Sequence, residues 1–242
     1  MALIGDSARA FAERMAAGGP FSTRRWKYLG NKTDVFDLDG SGDIASTKTL
    51  ILPDETGKGI KLGDTGTNDW GWRDITSSIE VRGVAATDPA WSQVGSSGLY
   101  AYDFSVGDVV WLTFHVPHDI VPNTDIYFHV HWFPSGTNAN SVKWEFKYVY
   151  ALGFNQEAFD FASPTTVSVE QASPGVAYQH MIAETTAQSL GITEPDGLIH
   201  LYVKRITNGA TDNTDSIFGL TADIHYQSHN LGTKGKAPSF YG

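Results

Sequence analysis

The sequence predicts an all-β protein built on one antiparallel β-sandwich of jelly-roll type. Three observations lead there. Strand-like runs bounded by turn signals recur from Trp72 onward, several of them alternate apolar and polar residues, and no long segment of helical period separates them. Eight or nine strands without intervening helices fit two packed sheets, for which the jelly roll is the best-known topology of that size.

In chain order, Asp6 and Ser7 suit a helix start, and Phe11 and Met15 share one face of a short helix over Ala8–Ala17 that Gly18-Gly19-Pro20 ends. Such a helix is marginal alone in water and has to dock on something. Residues 21–66 are polar and turn-rich, with short strand candidates at Thr47–Leu52 and Gly59–Leu62. Nine strands are then predicted: Ile75–Val81, Leu99–Phe104, Asp108–Val116, Asp125–Phe133, Val142–Leu152, Thr165–Glu170, Tyr178–Glu184, Leu198–Ile206 and Ile217–Tyr226. The resulting organisation is an N-terminal arm with a short helix and a small β-annex (1–66), the sandwich (67–230) and an extended C-terminal tail (231–242).

Alternation assigns the faces. Trp144, Phe146, Tyr148 and Tyr150 oppose Lys143, Glu145 and Lys147; Ile199, Leu201 and Val203 oppose His200, Tyr202 and Lys204. Leu220, Ala222, Ile224 and Tyr226 oppose Thr221, Asp223, His225 and Gln227. On two strands both faces look covered: Tyr127, His129, His131 and Phe133 share one side of one strand, and Trp111, Thr113 and His115 one side of another. Aromatic and imidazole groups with polar tips suit subunit interfaces, so a homo-oligomer is expected, with interface candidates Phe11, Met15, Trp111, His115, Tyr127, His129, His131, Phe240 and Tyr241. The competing assignment places that face in the core and Phe128, Val130 and Trp132 under another layer.

Composition narrows the function. Lys and Arg number 17 against 27 Asp and Glu, a formal net charge of -10, and no basic cluster interrupts it, so nucleic acid is not an expected partner. No cysteine is present, which removes disulfides, thiolate metal sites and thiol nucleophiles. No run approaches the roughly 20 apolar residues that span a bilayer, and the first residues lack a signal-peptide layout, so neither a membrane nor Sec export is expected.

Candidate chemistry is sparse. His129-x-His131 presents two imidazoles on one strand face, as cupin metal sites do, with His115 as a third nitrogen if its strand is adjacent. The acid that should follow closely is missing, Glu145 being on the next strand, so hydrogen-bonded structural histidines are the favoured reading. Asp37, Asp39 and Asp43 with Gly42 open like a calcium loop, but Lys48 stands where a bidentate Glu is needed. Nucleophile elbow, Walker loop and dinucleotide fingerprint are absent. No enzyme, metal or cofactor is expected. Trp70, Trp72 and Trp91, near loops, are compatible with stacking on sugars.

Several segments carry a family likeness: Gly71-Trp72-Arg73-Asp74-Ile75; His115-Val116-Pro117-His118-Asp119 with Val121-Pro122-Asn123-Thr124-Asp125; His129-Val130-His131-Trp132; Glu194-Pro195-Asp196-Gly197-Leu198; and Lys236-Ala237-Pro238-Ser239-Phe240-Tyr241. Over residues 70–242 the chain resembles virion structural proteins of tailed bacteriophages. The resemblance implies a particle component located in the virion: a capsid decoration or cement protein bridging its neighbours, or a tail-associated or fibre protein with a glycan-binding sandwich. Its partners would be major capsid or tail proteins, and by analogy with proteins on threefold axes the expected assembly is a trimer.

Overall fold

Ten strands form two antiparallel sheets packed face to face in the computed structural model, which describes residues 71–81 and 87–241. They are β1 (Gly71–Ser77), β2 (Ala90–Gln93), β3 (Tyr100–Phe104), β4 (Val109–His115), β5 (Tyr127–Pro134), β6 (Ser141–Ala151), β7 (Thr165–Ala172), β8 (Met181–Glu184), β9 (Leu198–Ile206) and β10 (Ile217–Ser228). Sheet A runs β2-β3-β10-β5-β8, with β1 also paired to β10, and sheet B runs β4-β9-β6-β7. From β3 onward the first strand pairs the last, and so on inward: β3 with β10, β4 with β9, β5 with β8, β6 with β7. An antiparallel ribbon of four such pairs wrapped across two sheets is a jelly roll, as expected.

The core lies between the sheets and is aromatic at its centre. Sheet A contributes Phe104, Phe128, Val130, Trp132, Ala222 and Ile224; sheet B contributes Leu112, Phe114, Trp144, Phe146, Leu201 and Val203. Phe104 meets Trp144 edge-on at 5.3 Å, and Phe128 stacks on Phe146 at 6.0 Å. Phe128, Val130 and Trp132 are therefore the inward set of β5, and Tyr127, His129, His131 and Phe133 face outward.

Three departures from the expected strands have physical causes. Strand β2 was not foreseen, because Ala90-Trp91-Ser92-Gln93 is too short to show a period. The run Ile75–Val81 is not one strand: β1 leaves β10 after Ser77, and Glu80 then pairs with Trp111 of β4 in the other sheet through reciprocal 3.0 Å backbone hydrogen bonds. In β10 the register against β5 shifts between Gly219 and Thr221, so one extra residue flips the side-chain phase. Ile217 and Ala222 are both buried, while Leu220, expected on the apolar face, is half exposed.

Strand β10 organises sheet A. One edge pairs with β5. The other pairs first with β3 (Ile217–Gly219) and then with β1 (Ala222–Ser228). Leu220 and Thr221 fall between those two registers, leaving a notch in the sheet.

The segment after β10 forms no strand, yet it folds back on the sandwich. The Gly235 amide donates to the Phe240 carbonyl at 3.0 Å, His118 Nδ1 lies 2.5 Å from Thr233 Oγ1, and the Phe240 ring is 1% exposed against His118 and Phe154. Phe240, expected at a subunit interface, is instead packed inside its own chain. The expected helix with Phe11 and Met15, the annex, and Asp37, Asp39 and Asp43 lie outside the described residues.

Candidate functional site

The outward face of sheet A gathers the ionisable side chains. Period-two alternation sends His129 and His131 of β5 outward, and registration does the rest. His129 stands opposite Asp223 of β10 on one side and Glu184 of β8 on the other, while His225 of β10 stands opposite Asp74 of β1. Four strands thus assemble three histidines and three carboxylates.

His129 is the buried centre, 2% exposed. Its Nε2 lies 2.5 Å from Glu184 Oε2, and its Nδ1 is 3.7 Å from Asp223 Oδ1, beyond hydrogen-bond reach. The His225 ring stands edge-to-face on it, centroids 3.7 Å apart. His225 Nε2 contacts Asp74 Oδ1 at 2.5 Å, and its Nδ1 turns towards Glu184 Oε2 at 3.6 Å. Asp223 is nearly as buried as His129, whereas Glu184 and Asp74 are about half exposed. Burial pushes the His129 pKa below its ordinary value, an effect offset in part by the hydrogen bond to Glu184 and reinforced by the neighbouring His225. His131 completes the row: its Nε2 sits 3.1 Å from Asp223 Oδ1 and its Nδ1 2.9 Å from His180 Nε2.

Part of the expected chemistry is present here, with different partners. His129 and His131 do share one face, but His115 does not join them. It lies on β4 in sheet B, where its Nε2 is 3.0 Å from Asp196 Oδ1, and the same oxygen takes His118 Nε2 at 3.0 Å. Glu145, on β6, accepts a 2.5 Å hydrogen bond from the Tyr202 hydroxyl. A cupin arrangement of His129, His131 and these two groups is therefore excluded by the strand order. The residues beside His129 that sequence reasoning did not name as candidates are Glu184, Asp223, His225 and Asp74. The polar face Thr221, Asp223, His225 and Gln227 was visible as a pattern, but its neighbours depend on strand order. Of the remaining candidates, Trp111 is half-buried and its backbone pairs with Glu80, and Tyr127 packs edge-on to the exposed Trp72 at 5.5 Å. Tyr241 is half-buried.

The notch in β10 forms a second feature, an open groove of about 450 Å³. The ends of β1 (Thr76, Ser77) and β3 (Tyr100, Tyr102), together with Trp91 and Leu220, line it. Trp91, 61% exposed, lies nearly parallel to Tyr100 at 6.2 Å and edge-on to Tyr102 at 4.7 Å.

No family model and no curated protein matches this sequence. Solved structures do. A CBM61 carbohydrate-binding module in complex with β-1,4-galactotriose matches at 12% identity over 64% of this chain and 88% of its own, with a TM-score of 0.26. Infectious bursal disease virus, Gt strain, matches at 12% identity over 72% of this chain and 38% of the viral chain, TM-score 0.32. CBM28, a carbohydrate-binding module specific for non-crystalline cellulose, matches at 12% identity over 73% of this chain and 96% of its own, TM-score 0.27. Likeness at this level carries no argument about what this chain binds.

Proposed function

We propose that the chain is a structural component of a tailed-phage particle, a capsid decoration or cement protein that docks on its neighbours through the notch of sheet A. The observation that carries this reading is the exposure of Trp91, Tyr100 and Leu220 around that groove, on a domain with a complete core of its own. Exposed apolar patches on folded domains mark contact surfaces, and rigid aromatics are their usual anchors. The motif likeness to virion proteins supplies the class of partner, and small docking areas repeated over a symmetric shell gain avidity. On this reading the protein acts by binding, without turnover, as a homo-oligomer, trimeric by analogy.

The test is sedimentation of the purified full chain with phage particles lacking it. The chain should pellet with particles, and Trp91→Ala with Tyr100→Ala should weaken this at least about tenfold, since anchor residues carry 2 kcal/mol or more. A wild-type chain that never pellets with heads or tails overturns the reading.

A second reading rests on the same groove. Near-parallel Trp91 and Tyr100 rings beside the Thr76 and Ser77 hydroxyls could stack and hydrogen-bond a sugar of a host glycan, as a tail-fibre module would. Glycan-array binding that Trp91→Ala abolishes would favour it over the decoration role; a blank array removes it.

A further inference from the structure

We propose that the outward face of sheet A is a binding site for a divalent transition metal of the zinc class, held by His129 Nε2, His225 Nδ1 and Glu184 Oε2. One ligand atom from each of the three residues lies within 4.8 Å of the others, and the residues come from three adjacent strands, so the sheet itself sets their spacing.

The two contacts to Glu184 fit with one small movement. Bonds of about 2.0–2.2 Å in a tetrahedral shell place ligand atoms roughly 3.3 Å apart. His225 Nδ1 and Glu184 Oε2 are 3.6 Å apart, and His129 Nε2 and Glu184 Oε2 are 2.5 Å apart. Of these two distances the second has to open, and the group free to move is the half-exposed Glu184 side chain. Each histidine also has a carboxylate behind its other nitrogen, Asp223 behind His129 Nδ1 and Asp74 behind His225 Nε2. Carboxylates in that position orient metal-bound imidazoles and raise their basicity.

The second, independent observation is an unsatisfied atom. His129 Nδ1 is buried and has no hydrogen-bond partner. Without a cation, no neutral tautomer suits this ring. A proton on Nε2 satisfies Glu184 but points the bare Nδ1 lone pair at Asp223. A proton on Nδ1 points the bare Nε2 lone pair at Glu184. A cation between Nε2 and Glu184 removes the conflict: Nε2 and the carboxylate both donate to the metal, and Nδ1–H is free to turn to Asp223. Two imidazoles and one carboxylate select a borderline ion such as Zn2+ or Co2+ over Ca2+ or Mg2+, which prefer all-oxygen shells. With Glu184 and His225 at the surface, the fourth position faces solvent.

This inference stands independently of the decoration role. Its test is titration of the EDTA-treated full chain with Zn2+ by calorimetry and with Co2+ by visible absorption. Wild type should bind one equivalent, show the intense d–d bands of a tetrahedral Co2+ site, and gain thermal stability with Zn2+. His225→Ala and Glu184→Gln, both at partly exposed positions, should keep the β-type circular dichroism and lose stoichiometric binding. Asp74→Asn, which removes only an orienting carboxylate, should bind about 10–100-fold more weakly. A wild-type chain that takes up no stoichiometric Zn2+ or Co2+, or folded His225→Ala and Glu184→Gln proteins that bind as well as wild type, overturns the proposal. If His225→Ala fails to fold, Glu184→Gln, nearly isosteric and half exposed, decides alone.

Discussion

Arg73 Nη1 and Asp119 Oδ2 stand 2.8 Å apart, joining the first strand of sheet A to the turn that leads out of β4. Asp119 is a hub: it also accepts from the Tyr226 hydroxyl at 2.9 Å and Ser228 Oγ at 2.6 Å. Burial, with the Asp119 charge close by, pushes the Tyr226 phenol pKa up, so the hydroxyl stays a donor. The segments Gly71–Ile75 and His115–Asp119 thus meet in one network at this end of the sandwich. Asp119 is mostly buried whereas Arg73 is half exposed. Asp119→Ala strands three donors and should cost about 3 kcal/mol in urea unfolding, while Arg73→Ala should cost about 1 kcal/mol or less. Equal losses for the two variants would show that the ion pair, and not the hub, matters.

Gly219 is required by a close approach. A Cβ there would sit 2.5 Å from Cε2 of Phe104, a buried ring already held edge-on against Trp144. Gly219→Ala should therefore destabilise by about 1–3 kcal/mol, as overpacking does. Phe104→Leu in the same chain should relieve part of that loss, a coupling of about 0.5 kcal/mol or more in a double-mutant cycle. Strict additivity of the two would mean the backbone shifts to make room.

The same glycine marks where the sequence ceased to be legible. Alternation in β6 and β9 assigned their inner faces correctly, since Trp144, Phe146, Leu201 and Val203 are all buried, whereas β5 left two assignments open and only the packing puts Phe128 inside. It failed at Leu220 because an inserted residue changes the phase of everything before it, and only the glycine hinted at a bulge. The carboxylate–histidine cluster was half legible. Each strand shows its own polar face, but which faces adjoin depends on β1 and β5 flanking β10, a long-range pairing that no local pattern encodes. His129 and His131 could be read as a pair; Glu184, Asp74 and His225 could not be placed beside them.

Arg205 is a buried cation used as a backbone clamp. It projects among the carbonyls of the loops at one end, donating through Nη1 to Phe104 O at 2.7 Å and through Nη2 to Asn213 O at 2.5 Å, with Asp212 at 3.6 Å. Arg205→Met fills the volume but leaves both carbonyls without their donor, and should cost about 3 kcal/mol. Arg205→Lys can reach one of them and should cost about 1–2 kcal/mol, because a single ammonium lacks the planar fork. If the methionine variant is as stable as wild type, solvent satisfies those carbonyls and the clamp is dispensable.

Phe240 separates two roles for the C-terminal segment. A tail that acts only in assembly would tolerate Phe240→Ala with no change in the stability of the free chain. The observed ring is buried, 5.6 Å from His118 and 5.9 Å from Phe154, and the Gly235 and Thr233 hydrogen bonds fold the segment around it. His118 in turn reaches Asp196, so the tail closes over the same Asp196 contact that holds His115. Losing the ring removes its packing and opens this layer to water, and Phe240→Ala should cost about 3 kcal/mol. The check is chemical denaturation of the purified chain in the absence of any particle. A loss below about 0.5 kcal/mol, within the range of ordinary surface substitutions, would return the tail to the assembly role first expected of it.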